Sequence, residues 1–256
     1  MKSNYIYCFS ASPLLLVDHH NVNEVVHSSP FVLQVDQIFR HEQHQGRPKD
    51  LEYTIHLVVR TIRFVDNPYT SSSNIVQDNA TASLQRIQQY GQSTWEDHLQ
   101  DHSIYLTRRS FGPAGYAPVG GMCDMKSSHT LCKEDGFNSA FVIAHETGHV
   151  LGMEHDGAGN TCHEAPQMGS VMAPLVESNF KRYFWSRCSK VYLVKHIDGF
   201  DCLNNNPWLN QGPSSKPYHI PERKYTLDEQ CKFDFGEGYS VCKNVRHVSV
   251  VLIMVT

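Results

Sequence analysis

Between residues 22 and 43 apolar side chains recur at near-helical spacing, broken by Ser28-Ser29-Pro30. The pattern predicts a helix that starts near Pro30 and ends before Gly46-Arg47-Pro48. The period then changes. Over residues 53–65, Ile55, Leu57 and Val59, with β-branched Val58 and Ile62, suit a strand largely buried in a sheet, so this part reads as a βα-type layer. Residues 66–79, rich in Ser, Asn and Asp, predict a surface loop; residues 81–90 predict a short polar helix and residues 103–107 a short strand. Residues 111–121 hold four glycines and two prolines around Tyr116-Ala117-Pro118-Val119, which predicts a loop leading into an irregular edge strand.

The clearest helical pattern spans residues 138–151, where Phe141, Ala144, Gly148 and Leu151 alternate between a packed and a functional side. Asn138 or Ser139 can cap it, and Gly152, free to take a positive φ, ends it. A second helix is predicted from Ser186 to about Phe200 on a stripe of Val191, Leu193, Val194 and Ile197. Residues 204–221 bring three successive asparagines and several prolines without periodicity, which reads as a linker. No internal repeat is visible.

Composition narrows the function. The 256 residues hold 22 Lys+Arg against 26 Asp+Glu, a formal net charge of −4. That is the wrong sign for a partner bound through phosphate neutralisation, so nucleic acid is excluded as a ligand. No apolar run reaches the roughly 18–20 residues that span a bilayer, and residues 248–255 fall far short. Lys2 followed by the mostly apolar residues 5–17 has the outline of a secretory leader without a clear cleavage site. Eight cysteines lie far apart with no C-x-x-C pair. This spacing favours long-loop disulfides in an oxidising compartment over a ribbon-type zinc site, with buried reduced thiols as the alternative. The triplet Asn79-Ala80-Thr81 is an acceptor pattern for N-glycosylation and points to the same compartment.

The chemistry concentrates in His145-Glu146-Thr147-Gly148-His149-Val150-Leu151-Gly152-Met153-Glu154-His155. Residues four apart share a helix face, so His145 and His149 can converge on one ion, and a turn at Gly152 lets His155 supply a third nitrogen. The fourth tetrahedral position stays open for water, which Glu146 can reach as general base without coordinating. Sixteen histidines make chance pairs common; His19-His20, His41 with His44 and His98 with His102 read as solvated or core residues. The longer pattern differs, arising by accident on the order of once per million windows. It implies zinc-dependent hydrolysis of peptide bonds.

With these residues the sequence resembles a metzincin, and Asp156 after the third histidine resembles the adamalysin branch. Val171-Met172-Ala173-Pro174 stands where that group has its methionine turn, with Met172 packing beneath the metal. Residues 101–107, 111–123, 134–202 and 225–242 resemble the ADAMTS family, nearest its procollagen N-propeptidase subgroup, for instance in Gly169-Ser170-Val171-Met172-Ala173-Pro174-Leu175 and Trp185-Ser186-Arg187-Cys188-Ser189. The resemblance implies an α/β, zincin-like fold: a twisted, mostly parallel sheet, an active-site helix and a methionine turn. It implies a catalytic domain over residues 1–205, a linker over 206–222 and the truncated start of a disintegrin-like module over 223–256, which includes Cys231 and Cys242. Leu14-Leu15-Leu16-Val17-Asp18 takes the place of the first strand. The implied activity is that of a secreted zinc endopeptidase acting in the extracellular matrix, with procollagen-like chains as the substrate. Residues Gly115, Tyr116, Ala117, Pro118 and Val119, in a strand reaching Gly121, would receive an extended substrate, and Leu175 would open a side-chain pocket running to Trp185. Implied disulfides join Cys123 to Cys202 and Cys162 to Cys188.

Several positions depart from that family pattern. A further family bridge would join positions held here by Gln85 and His129, which leaves Cys132 unpaired. Asp101 matches a calcium-ligand position, yet Asn205 and Ser110 stand where acids are expected, so calcium affinity should fall. No prosegment is recognisable, and the chain is expected to be a fragment. Lys181-Arg182 reads as a solvated face, and Cys8 lacks any flanking motif of a zinc-blocking thiolate. The alternative function is a catalytically impaired, zinc-bound module that binds matrix proteins through the same groove.

Overall fold

The computed structural model describes residues 2–12, 53–64, 74–94, 101–134, 139–175, 184–204, 226, 228–229, 232, 237–241 and 253–255, with side chains described outside 2–12, 53–64, 91–94, 241 and 253–255. Its frame is a five-stranded sheet. Strands β1 (Lys2–Ser12), β2 (Tyr53–Phe64), β3 (His102–Thr107), β4 (Gly115–Tyr116) and β5 (His129–Lys133) take the order β2-β1-β3-β5-β4. All neighbours pair in parallel except β4, which runs antiparallel to β5 at the edge. Parallel neighbours need crossovers, and helices on both faces provide the cover such sheets require.

Two helices do most of this covering. Helix α1 (Ala80–Thr94) lays Leu84 and Ile87 against Tyr105 and Leu131 on one face. Helix α2 (Ser139–Val150) packs Ala140, Ile143 and Ala144 near Ile104, Leu106 and Cys132 on the other. The division follows from period-two alternation, since Tyr105 lies between Ile104 and Leu106, and Leu131 precedes Cys132. A short helix α3 (Ala165–Met168), helix α4 (Arg187–Ile197) and a 3-10 turn (Asp201–Asn204) follow. An antiparallel pair, β6 (Tyr239–Val241) and β7 (Ile253–Val255), forms a separate two-stranded sheet. No helix among the described residues is long and apolar enough to cross a membrane.

Several sequence expectations need correction. The strand beside β2 and β3 is Lys2–Ser12 rather than residues 14–18, which lie outside the described residues together with the helix expected near Pro30. The helix expected at 81–90 is longer, running from Ala80 to Thr94, and Asn79 Oδ1 caps it by accepting the Ala82 N–H (2.9 Å). Helix α4 stops at Ile197. Its buried face is Cys188, Ser189, Leu193 and Ile197, whereas Val191 and Val194 are 59% and 45% exposed. At 3.6 residues per turn Val191 and Val194 cannot share the Leu193 face, so the four-residue stripe combined two sides of one helix. Ser139 Oγ donates to Lys133 O at 3.3 Å, and Asn138 lies outside the described residues. The 206–222 linker, Lys181-Arg182, Asn205, Cys231 and Cys242 also lie outside them.

Candidate active site

Helix α2 carries His145, Glu146 and His149 on buried turns. It ends as the sequence requires. Gly152 takes φ +89° while its N–H donates to His149 O (2.8 Å) and Met153 N–H donates to Gly148 O (3.0 Å), the paired bonds of a glycine-terminated helix. A side chain at 152 would also strike the His196 ring, whose Cδ2 lies 2.7 Å from the Cβ position. The reversal returns the chain so that the Nε2 atoms of His145, His149 and His155 stand 3.1 Å apart in all three pairs.

That triangle suits a cation. His145 Nδ1–H donates to Val171 O at 2.7 Å and His149 Nδ1–H donates to Met153 O at 2.8 Å. Carbonyl oxygens only accept, so each ring's proton is on Nδ1 and its Nε2 presents a lone pair. Burial holds His149 at a pKa of about 4, hence neutral at physiological pH. Inward-facing lone pairs repel unless an electrophile lies among them. Ligand nitrogens around a tetrahedral zinc ion with bonds of about 2.0–2.1 Å stand roughly 3.3 Å apart, close to the spacing here. The three residues therefore fit a metal ion, as the family of sites with three imidazoles and an open fourth position does.

Glu146 is buried against β4. A Cβ on Gly115 would overlap its carboxylate, so glycine is what lets the edge strand approach this side chain. Burial raises the Glu146 carboxyl to a pKa of about 8, and a cation at the neighbouring imidazoles would favour the ionised form again. Burial first, and the Glu146 charge second, push the Cys132 thiol up, which keeps this free cysteine inert. Gly115→Ala is expected to displace Glu146 and lower kcat for peptide cleavage by about 10- to 100-fold with little change in bound metal; parent-level kcat in the purified variant would refute this.

Asp156 joins three segments behind the imidazoles. Its carboxylate accepts from Ser170 Oγ at 2.5 Å and from Ser186 Oγ, and its N–H donates to Met172 O at 2.9 Å. Ser186 Oγ also accepts the Ser189 N–H at 3.0 Å and so caps α4. Met172 is fully buried under α2, where its sulfur and Trp185 take the space that Gly148 leaves open. Ser170 and Ser186 have no sequence motif of their own; only their place beside Met172 and at a helix start gave any signal.

The other expected residues separate. Only Gly115 and Tyr116 pair with β5. Residues 117–121 leave the ladder, because Pro118 has no N–H to donate and Gly120 N–H turns to His149 O (2.9 Å) at the end of α2. The edge strand is thus shorter than the expected run to Gly121, and Val119 faces solvent. Leu175 is 72% exposed while Trp185 is in the core, and residues 176–183 lie outside the described residues. The structure joins Cys123 to Cys202 and Cys162 to Cys188. His129, at the place of the absent family bridge, is instead buried, with Nε2 2.8 Å from Met125 O and Nδ1 3.2 Å from Tyr105 Oη. His102 is a core residue, held by burial at a pKa of about 3. Asp101 is buried, and among the described residues it belongs to no cluster of metal-ligating side chains.

Comparison with known proteins agrees with this geometry. The model of metallo-peptidase family M12 matches residues 19–185. A disintegrin and metalloproteinase with thrombospondin motifs 14 from Homo sapiens is 42% identical over 246 residues, covering 91% of this chain and 19% of that protein. The corresponding protein with thrombospondin motifs 3 from Homo sapiens is 48% identical over 201 residues (75% of this chain, 16% of that protein). The one with motifs 2 from Bos taurus is 44% identical over 200 residues, with the same coverage of 75% and 16%. The chain spans less than a fifth of the length of these relatives.

Proposed function

Since the chain belongs to metallo-peptidase family M12, we propose that it is a secreted zinc endopeptidase of the extracellular matrix, with procollagen-like chains as its substrate. The observation that carries this reading is the convergence of three imidazole Nε2 atoms, 3.1 Å apart, at the end of the helix that also carries the buried Glu146. His145, His149 and His155 hold the metal. Bound there, zinc supplies Lewis acidity, polarising the scissile carbonyl and making water more acidic. An extended substrate adds its backbone to the free edge of β4, which sets its peptide bond over Glu146. Glu146 takes a proton from the attacking water on a carboxylate oxygen and returns it to the departing amine nitrogen. Met172 and Trp185 exclude water beneath the site, and Leu175 and residues 117–119 offer surface to substrate side chains. Cys123–Cys202 and Cys162–Cys188 suit an oxidising compartment. Asp101 is a candidate contributor to a weak calcium site.

The test is made on the full chain produced under oxidising conditions. A single zinc ion per chain is expected by elemental analysis, with peptide cleavage abolished by a chelator and restored by zinc. Chelation should also lower Tm, since zinc at about 1,000 times its Kd adds about 4 kcal/mol. A fully metallated chain that binds peptides without cleaving them would reject the enzyme in favour of a binding module.

A further inference from the structure

The turn that opens α1 exposes a group that peptide hydrolysis does not use. Asn79-Ala80-Thr81 is an Asn-x-Thr triplet with no proline between. Asp78 takes φ 53°, a reversal that aspartate tolerates, and Asn79 follows it fully on the exposed side. The Asn79 carboxamide is divided in its duties. Oδ1 accepts the Ala82 N–H at 2.9 Å as the helix cap, while the Asn79 backbone carbonyl accepts from Ser83 N–H (3.1 Å) and Ser83 Oγ (2.8 Å). Among the described residues none bonds Nδ2.

We propose that Asn79 carries an N-linked oligosaccharide, rooted at the cap of α1 and standing beside edge strand β4. An N-glycosidic bond forms at Nδ2 and leaves Oδ1 an amide oxygen, so the modification and the cap are compatible. The donor is a lipid-pyrophosphate-linked oligosaccharide. Nδ2 bonds to the sugar C1 as the C1–O bond to pyrophosphate breaks, the amide proton passes to a base of the transferase, and the lipid pyrophosphate leaves. No redox change occurs.

The location beside β4 follows from three contacts. Thr81 Oγ1 donates to Tyr116 Oη at 3.0 Å, Ser110 Oγ donates to Asp78 Oδ1 at 3.4 Å, and Gly112 lies against the Asp78 backbone. The strap from Ser110 to Tyr116 therefore leans on the turn that bears the sugar.

The experiment is secretion of the full chain from a eukaryotic host, followed by mass analysis of its proteolytic peptides. The expected result is a glycan mass on the peptide containing Asn79, released by peptide-N-glycosidase to leave aspartate, and lost in both Asn79→Asp and Thr81→Ala. Asn79→Asp keeps a capping oxygen and Asn79→Ala does not, so the Ala variant should unfold about 2–4 °C below the Asp variant. Unmodified Asn79 in secreted chains whose digest contains the Cys123–Cys202 bridge would overturn the proposal and leave the protease reading intact. Equal Tm values in the Asp and Ala variants would overturn the part of the proposal that roots the sugar at a helix cap.

Discussion

Glu146→Gln is expected to lower kcat for peptide hydrolysis by about 10²- to 10⁴-fold while zinc per chain stays at the parent value. Glutamine has nearly the same shape, so it keeps the packing against Gly115 and removes only the ability to take a proton. The imidazoles are untouched, because His145 and His149 keep their bonds to Val171 O and Met153 O. The base works only as a carboxylate, so parent activity should rise with pH through the carboxyl pKa and the residual activity of the variant should lose that rise. Stability moves the other way: a buried carboxylate that burial drives towards its neutral form is costly to ionise, and a neutral amide avoids that cost. Tm at or slightly above the parent, with kcat lost, distinguishes removal of a catalytic group from damage to the fold. Equal kcat in the two proteins would end the assignment of Glu146 as base.

Asp156→Ala should be the most damaging change outside the reacting groups. It removes the acceptor of Ser170 Oγ and Ser186 Oγ in a spot that water does not reach, and both bonds are charge-assisted. Two buried hydroxyls left without that acceptor cost about 2–4 kcal/mol together, which in a domain of this size lowers Tm by roughly 5–15 °C. The metal should suffer as well. His155 immediately precedes Asp156, and Val171, whose carbonyl orients His145, immediately follows Ser170, so loosening this junction is expected to weaken zinc binding by about 10- to 100-fold. Asp156→Asn retains one acceptor oxygen and should lose about half as much stability. Titration with a competing chelator and thermal unfolding measure the two effects, and unchanged values for both would refute the role given to Asp156.

The imidazole triangle was legible because everything that builds it is local. Spacing by four residues puts His145 and His149 on one face, and Gly152 turns the chain within ten residues of His145, so no distant contact is needed. The strand at 53–64 and helix α2 were legible for the same reason: each has an unbroken period. What sequence could not supply were contacts between segments far apart. Ser170 and Ser186 reach Asp156 across 14 and 30 residues, and Tyr116 meets Thr81 across 35. Individual serines and threonines carry no periodic signal. The apolar stripe on α4 failed differently, because hydrophobicity alone does not tell which valines face the core. The edge strand was overextended because Ala117-Pro118-Val119 has strand-like residues, while proline and the pull of the α2 terminus decide the backbone's route.

The Cys123–Cys202 bridge spans 79 residues and, inside it, the Cys162–Cys188 bridge spans 26. The outer one encloses His145, Glu146, His149, His155, Asp156 and Met172 in a single covalent macrocycle, and the inner one forms a smaller ring containing Ser170 and Met172. A single cut anywhere within the outer ring therefore opens the chain without letting any of these groups diffuse away, so the parts of the site stay tethered after a nick.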